Sequence, residues 1–367
     1  MSVEELLAGK RIVICAGSGG VGKTTTSAAL AMGMAERGLR VAVVTIDPAR
    51  RLATSLGLDG LGNEPALVDP DRFTEHGITM EGELWAMQLD AKRTFDALIE
   101  RLAPDEATRD EVLGNRIYQQ LSSAVAGSQE FTAIAKLFEL DAEGDYDLLV
   151  LDTPPSRNAL DFLDAPDRLT GFFQGRAIRM FLRPAGFGGR IIGRGTGVVF
   201  SLLKRVTGVD LLEDLSVFFR ALGGMIDGFT ERAAGVKALL SDPQTTFLII
   251  TSPEHEPVEE ALYFHRKLRE AAMPFGGLVV NRMREAPAIG DDEPAGLVDA
   301  LGSGLASRVL RSARELSGLA ARDAANVARL RDELGSPATI VIPQLADDVH
   351  DVDGLAQVLD HLFAEAA

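Results

Sequence analysis

The chain has 367 residues, 46% hydrophobic and 25% charged, enough to bury one large core or two moderate ones, so a folded globular protein is expected. Its formal net charge of −17, from 37 basic and 54 acidic side chains, argues against nucleic acid or anionic lipid as a general partner unless basic groups segregate on one face. The single cysteine, Cys15, excludes intrachain disulfides and cysteine-built metal centres within one chain, and fits a reducing cytoplasm.

The first stretch, "MSVEELLAGKRIVIC", has an acidic pair where an export signal carries positive charge, so no export is expected. The apolar run "RIVICA" (11–16) then reads as a strand, and "KTTTSAALAMGMAERG" as a helix stopped by Gly38 with Arg37 in its last turn. With "VAVVTI" (41–46) they make a βαβ unit. Strand-length runs recur at 148–152, 246–251, 277–281 and 339–343, and near-continuous apolarity marks strands buried on both faces. The expected fold is α/β, a mostly parallel sheet covered by helices.

Two stretches without strand runs, roughly 90–140 and 160–240, read as helical, and Trp85 near the start of the first reads as packing. The second is rich in Phe172, Phe173, Phe181, Phe200, Phe218 and Phe219, and the two together predict one inserted helical subdomain. Its greasiest part, "GRIIGRGTGVVFSLLKRV", is broken by Arg190, Arg194, Lys204 and Arg205 and is no membrane span. "GDDEP" (290–294) reads as a solvated loop, and His255 and His265 lack the clustered partners of a metal site. A long helix at 305–334 is expected to bury one stripe of Val309, Ala313, Leu316, Ala320, Ala324, Val327 and Leu334. The expected division is 1–90, 141–160 and 241–367 for the sheet domain, and 91–140 and 161–240 for the helical subdomain.

Chemistry concentrates in "AGSGGVGKTTT" (16–26), where Gly17, four residues, Gly22, Lys23 and Thr24 match a phosphate loop between a strand and a helix. Glycines let consecutive N–H groups turn inward around an anion, and the helix N-terminus adds partial positive charge. Lys23 is then expected at the β- and γ-phosphates, the Thr24 hydroxyl at Mg²⁺ and Thr25 at the α-phosphate. Two further strands end in carboxylates: Asp47 in "TIDPARRL", placed to orient a water, and Asp152 in "LLVLDTPPS", placed to hold Mg²⁺ through water.

"GSGGVGKTT", "TIDPARRL", "LLVLDTPPS", the "VVN" ending at Asn281 and "VIPQL" (341–345), in this order, resemble the deviant phosphate-loop ATPases. Within them the likeness is to the arsenical-pump ATPase and the ATPase that guides tail-anchored membrane proteins. This resemblance covers nearly the whole chain and implies an ATP- and Mg²⁺-dependent, dimeric P-loop NTPase of the cytoplasm. It implies phosphate and metal contacts from Gly17, Ser18, Gly19, Gly20, Val21, Gly22, Lys23, Thr24 and Thr25, with Asp47 in switch I positioning water. Asp152 and the "TPPS" that follows it would form switch II; Asn281 would read adenine, and the Pro343–Leu345 loop would close over the base. The "NRM" stretch lacks a guanine-reading Asp, favouring ATP over GTP.

At Ser18 the resemblance implies a lysine that reaches across a dimer, and three explanations of the serine stand open. Hydrolysis is slow; or Arg50 or Arg51 supplies the charge; or a lysine-bearing paralogue completes a heterodimer. A single cysteine rules out arsenite capture by clustered thiols and a paired-cysteine zinc site, and the acidic end "DVDGLAQVLDHLFAEAA" differs from the basic membrane helix of cell-division relatives. The helical subdomain suggests a hydrophobic-helix client gated by ATP, although each apolar residue taken singly reads as core. Two alternatives to the coupled switch are a weakly hydrolysing regulatory subunit of a heterodimer and a positioning ATPase like those of chromosome partitioning.

Overall fold

Each of the six apolar runs is a strand, and the alternating order of strand and helix closes them into one sheet. The structure, a computed structural model, describes residues 2–47, 49–116, 118–119, 128–153, 171, 218–288 and 293–364. Among these the elements run α1 (Val3–Leu7), β1 (Ile12–Ala16), α2 (Lys23–Glu36), β2 (Arg40–Thr45), α3 (Arg51–Ser55), β3 (Ala66–Leu67), α4 (Asp71–Thr74) and β4 (Glu83–Gln88). Then come α5 (Ala91–Leu102), α6 (Glu106–Leu113), α7 (Ser128–Glu143), β5 (Leu148–Asp152), α8 (Ile226–Leu240), β6 (Thr245–Thr251), α9 (His255–Glu270) and β7 (Phe275–Met283). The chain finishes with α10 (Glu293–Leu301), α11 (Ser303–Glu333), β8 (Thr339–Pro343) and α12 (Val352–Phe363).

The strand order is β3-β4-β2-β5-β1-β6-β7-β8, and every pairing is parallel except β3 with β4. All residues of β1, β5 and β6 are buried, which accounts for their unbroken apolarity. Helix α2 is buried on most of its circumference between the sheet and α12. Gly33 permits that approach: a Cβ there would stand 2.2 Å from the Phe363 ring. Arg37 caps the helix end, donating to Gly33 O at 2.8 Å with its guanidinium 3.9 Å from the Phe363 ring centre.

One expectation is met and one corrected. Trp85 packs, meeting the Tyr146 ring edge-on at 6.1 Å, and does so from β4, a strand that no apolar run marks and that pairs with β2 along its whole length. In α11 Ala313, Ala320 and Val327, with Leu334 at its end, are buried as expected, together with Ala306, Asp323 and Leu330, whereas Val309 (38%), Leu316 (45%) and Ala324 are exposed. Small alanines face the protein at seven-residue steps, so the larger side chains point away.

The chain divides into two compact units, 1–88 with 143–160 and 240–367, and 89–142 with 161–239. Within the second, Phe95 stacks on Tyr118 (6.1 Å) and Phe229 (5.9 Å), and the buried Tyr118 hydroxyl donates to Asp96. Glu139 gathers Arg101, Lys136 and Arg232. Phe218, Phe219 and Met225 are buried there. The remainder of the apolar stretch from 172 to 217, the Pro154–Ser156 part of "TPPS" and Gly290–Asp292 lie outside the described residues. No helix among the described residues is long and apolar enough to cross a membrane.

Candidate active site

Three neighbouring strands, β2, β5 and β1, end side by side, with Thr45 opposite Asp152 and Cys15 opposite Asp152 in the register. Whatever follows them converges at the carboxyl edge of the sheet, where open α/β folds bind ligands. After β1 the loop turns hard against β6: a Cβ on Gly17 would stand 1.9 Å from Ile250 O. Gly22 has φ 94°, and a Cβ there would meet the Asn281 amide nitrogen at 2.2 Å. Helix α2 starts directly after Gly22 with no side-chain cap, which leaves its first N–H groups available to an acceptor from outside the helix.

Lys23 is 6% exposed and its Nζ donates to Ser18 O at 2.7 Å. Burial lowers the ammonium pKa, opposed by the charges of Asp152 and Asp47. Ser18 is buried, with its hydroxyl oxygen unpartnered among the described residues. The fully buried Asp152 accepts through Oδ2 from Thr24 and Thr45, both at 2.8 Å, while Oδ1 has no partner among the described residues. Burial pushes its carboxyl up to about 6, against the two hydroxyl bonds and Lys23. Cys15, buried in β1, has its thiol pushed up to about 12 by burial and is chemically inert.

Asp47 follows β2 and is 7% exposed. Its backbone is set by Thr45 Oγ1 accepting from Asp47 N (3.2 Å) and by Gln88 donating to Asp47 O (2.8 Å). Its Oδ1 accepts from Ala49 N at 2.9 Å, and Arg51 Nη1 lies 3.7 Å from Oδ2.

These groups line one cavity of about 690 Å³, which runs from the β2 side, with Asp47 and Arg51, past Gly20, Gly22, Lys23, Thr24 and Thr25 to the ends of β7 and β8. There its wall is Asn281, Arg282, Arg284, Gln344, Leu345 and His350, with Glu254 from the start of α9. Asn281 joins the two sides: its amide donates to Val21 O at 2.9 Å and its Oδ1 accepts from Arg282 N at 2.9 Å. Arg284 donates to both oxygens of the buried Asp323 on α11, at 2.9 and 3.2 Å, with Glu254 3.5 Å away. Asn326 on the same helix donates to Pro253 O at 2.9 Å.

Of the residues that the sequence marks as a site, Gly20, Gly22, Lys23, Thr24, Thr25, Asp47 and Asn281 are on the cavity wall. Gly17, Ser18, Gly19 and Val21 shape the loop from behind or outside it, and Asp152 stands beneath, bonded to Thr24. Pro343 pairs with Met283 at the end of β8, and the wall is formed by its successors Gln344 and Leu345. Sequence reasoning misses Arg282, Arg284, Glu254 and Asp323. The arginines stand beside Asn281 in "NRMR", but only the fold brings Asp323 to them across 39 positions.

A model of the anion-transporting ATPase family matches residues 10–291, more than three quarters of the chain. A protein of Aquifex aeolicus named for driving an arsenical pump is 27% identical over 69% of this chain and 59% of its own. ATPase ARSA1 of Chlamydomonas reinhardtii is 29% identical over 76% of this chain and 36% of its own, and ATPase GET3 of Malassezia globosa 25% over 75% and 73%. The chain thus spans less than two thirds of the length of the first two relatives. With a phosphate loop, two strand-end carboxylates and a parallel sheet that brings them to one cavity, the chain belongs to the anion-transporting ATPase family.

Proposed function

We propose that the chain binds ATP with Mg²⁺ in this cavity and hydrolyses it, as a dimeric switch that couples the nucleotide state to a partner or client. The observation that carries the reading is the meeting of Thr24, Thr45 and Asp152 beneath an uncapped helix N-terminus that also holds Lys23. Backbone N–H groups of the loop and Lys23 would hold the phosphates, and Asp47, buried just past the end of β2, would orient the attacking water. The residues fit a magnesium ion: Asp152 keeps a buried Oδ1 that is unpartnered among the described residues, and the Thr24 hydroxyl is already at the carboxylate. The ion, when bound, neutralises charge on the β- and γ-phosphate oxygens. Asn281 and the loop from Gln344 would contact the base, adenine rather than guanine.

The coupling part of the proposal rests on the resemblance and on the second unit, which would take a hydrophobic helix. The partner in the dimer is a second copy or a lysine-bearing paralogue; the mass of the complex recovered from the cell's own cytoplasm with a non-hydrolysable ATP analogue tells which. A cytoplasmic location without nucleic-acid partners is supported by the charge of −17 and the buried, free Cys15. Steady-state phosphate release tests the activity. The purified chain is expected to release phosphate from ATP only with Mg²⁺, and Lys23→Ala to weaken ATP binding at least tenfold. ATP binding without phosphate release would leave the regulatory-subunit reading, and binding to DNA or lipid that salt abolishes would leave the positioning one.

A further inference from the structure

Besides Lys23, the fold brings Arg51 to the β2 side of the cavity. Arg51 opens α3 four residues after Asp47, lines the cavity and is 61% exposed in its side chain. Its guanidinium lies 3.7 Å from the Asp47 carboxylate, outside hydrogen-bond distance, so it is held by charge alone and is free to reorient. Arg50, its neighbour, takes the left-handed backbone conformation (φ 55°) that starts the helix, and its side chain is not part of the wall. Arg51 and Lys23 both stand on this cavity wall, beside the uncapped start of α2. Two like charges converging beside an uncapped helix N-terminus disfavour each other unless an anion lies between them. On the β7 side, by contrast, Arg284 is already committed to Asp323.

We propose that Arg51 is a catalytic residue of the hydrolysis, its guanidinium moving from Asp47 to the transferring γ-phosphoryl group; this rests on the ATPase reading above. In the step, the water oxygen bonds to the γ-phosphorus as the bond from that phosphorus to the β–γ bridging oxygen breaks. The bridging oxygen leaves on ADP with the electron pair, and the water's proton ends on the released phosphate or in solvent. Negative charge gathers on the equatorial and leaving oxygens, and a cation supplied only there speeds the step without tightening the ground state. Because the cation and Asp47 lie four residues apart on one stretch of chain, the charge is supplied within the chain.

The test uses the purified full chain with Mg²⁺ and ATP, and the variants Arg51→Ala and Arg51→Lys. Arg51→Ala is expected to lower kcat by about 10³-fold or more with KM within about threefold, since the contact exists only in the transition state. Affinity for ADP with aluminium fluoride should fall while affinity for ADP alone holds, a split that a merely structural role would not produce. Added guanidinium ion is expected to restore part of the lost rate, and Arg51→Lys to keep more of it than Arg51→Ala. Equal kcat in wild type and Arg51→Ala would overturn the proposal and leave the ATPase reading intact. Absence of phosphate release from the wild type itself would overturn both.

Discussion

The β2–β5–β1 side of the cavity and the β7–β8 side are built by different means. On the first, one loop of consecutive residues and the strand-end Asp47 supply the wall, with the strand-end Asp152 beneath it, and register alone places Asp152 beside Thr45 and Cys15. On the second, the wall is collected from the start of α9, the end of β7, the loop after β8 and, behind them, α11. The first side holds its charges in tension, with a buried carboxyl whose Oδ1 is unpartnered among the described residues and a lysine whose protonation burial disfavours. On the second, Arg284 is paired with the buried Asp323. Strain that a ligand can relieve belongs where chemistry occurs, and satisfied pairs where a shape must be held.

The largest expected break in this contrast comes from Asp47→Asn on the β2 side. It should lower kcat by on the order of 10²–10⁴ while leaving ATP affinity within about threefold, read by phosphate release and equilibrium binding. Gly22→Ala strikes the point where the sides meet, since the new Cβ falls 2.2 Å from the Asn281 amide at φ 94°. It should cost about 1–3 kcal/mol in a denaturant titration and weaken ATP binding; adding Asn281→Ala should recover the steric part and not the conformational part.

Asp152→Asn separates function from stability. The folded carboxyl sits at about 6 against an ordinary value of 3.8, so the folded state binds more protons between these values and the carboxylate costs stability above them. At about pH 7 the variant should lose Mg²⁺-dependent turnover yet gain about 1–3 kcal/mol without ligand, and the gain should vanish below about pH 4, where the wild type is itself protonated. The smallest effect on the reaction is expected from Asp323→Ala. Freeing Arg284 should cost about 1–3 kcal/mol of stability and raise KM for ATP several-fold with kcat unchanged, because it alters the wall and not the reacting groups.

The same contrast explains what the sequence revealed. Residues 16–26, Asp47 and Asp152 were legible because each sits at a strand end that local apolarity announces, and parallel pairing does the rest. The Arg284–Asp323 pair was not legible, because neither residue is unusual in its own neighbourhood and only the docking of α11 joins them. Strands β3 and β4 were missed because two residues make β3, and the apolar positions of β4 are diluted by Glu83 and Gln88. In α11 the apolar period was visible, but the choice of face fell to the alanines that pack closely, leaving Val309 and Leu316 outward.

A crystal structure of the chain with Mg²⁺ and a non-hydrolysable ATP analogue would decide most directly whether this cavity is the nucleotide site. The triphosphate is expected against residues 17–25, the metal at Thr24 with Asp152 behind it, and the base between Asn281 and the loop from Gln344. A nucleotide bound outside this cavity, or one whose phosphates lie on the β7–β8 side, would contradict that placement.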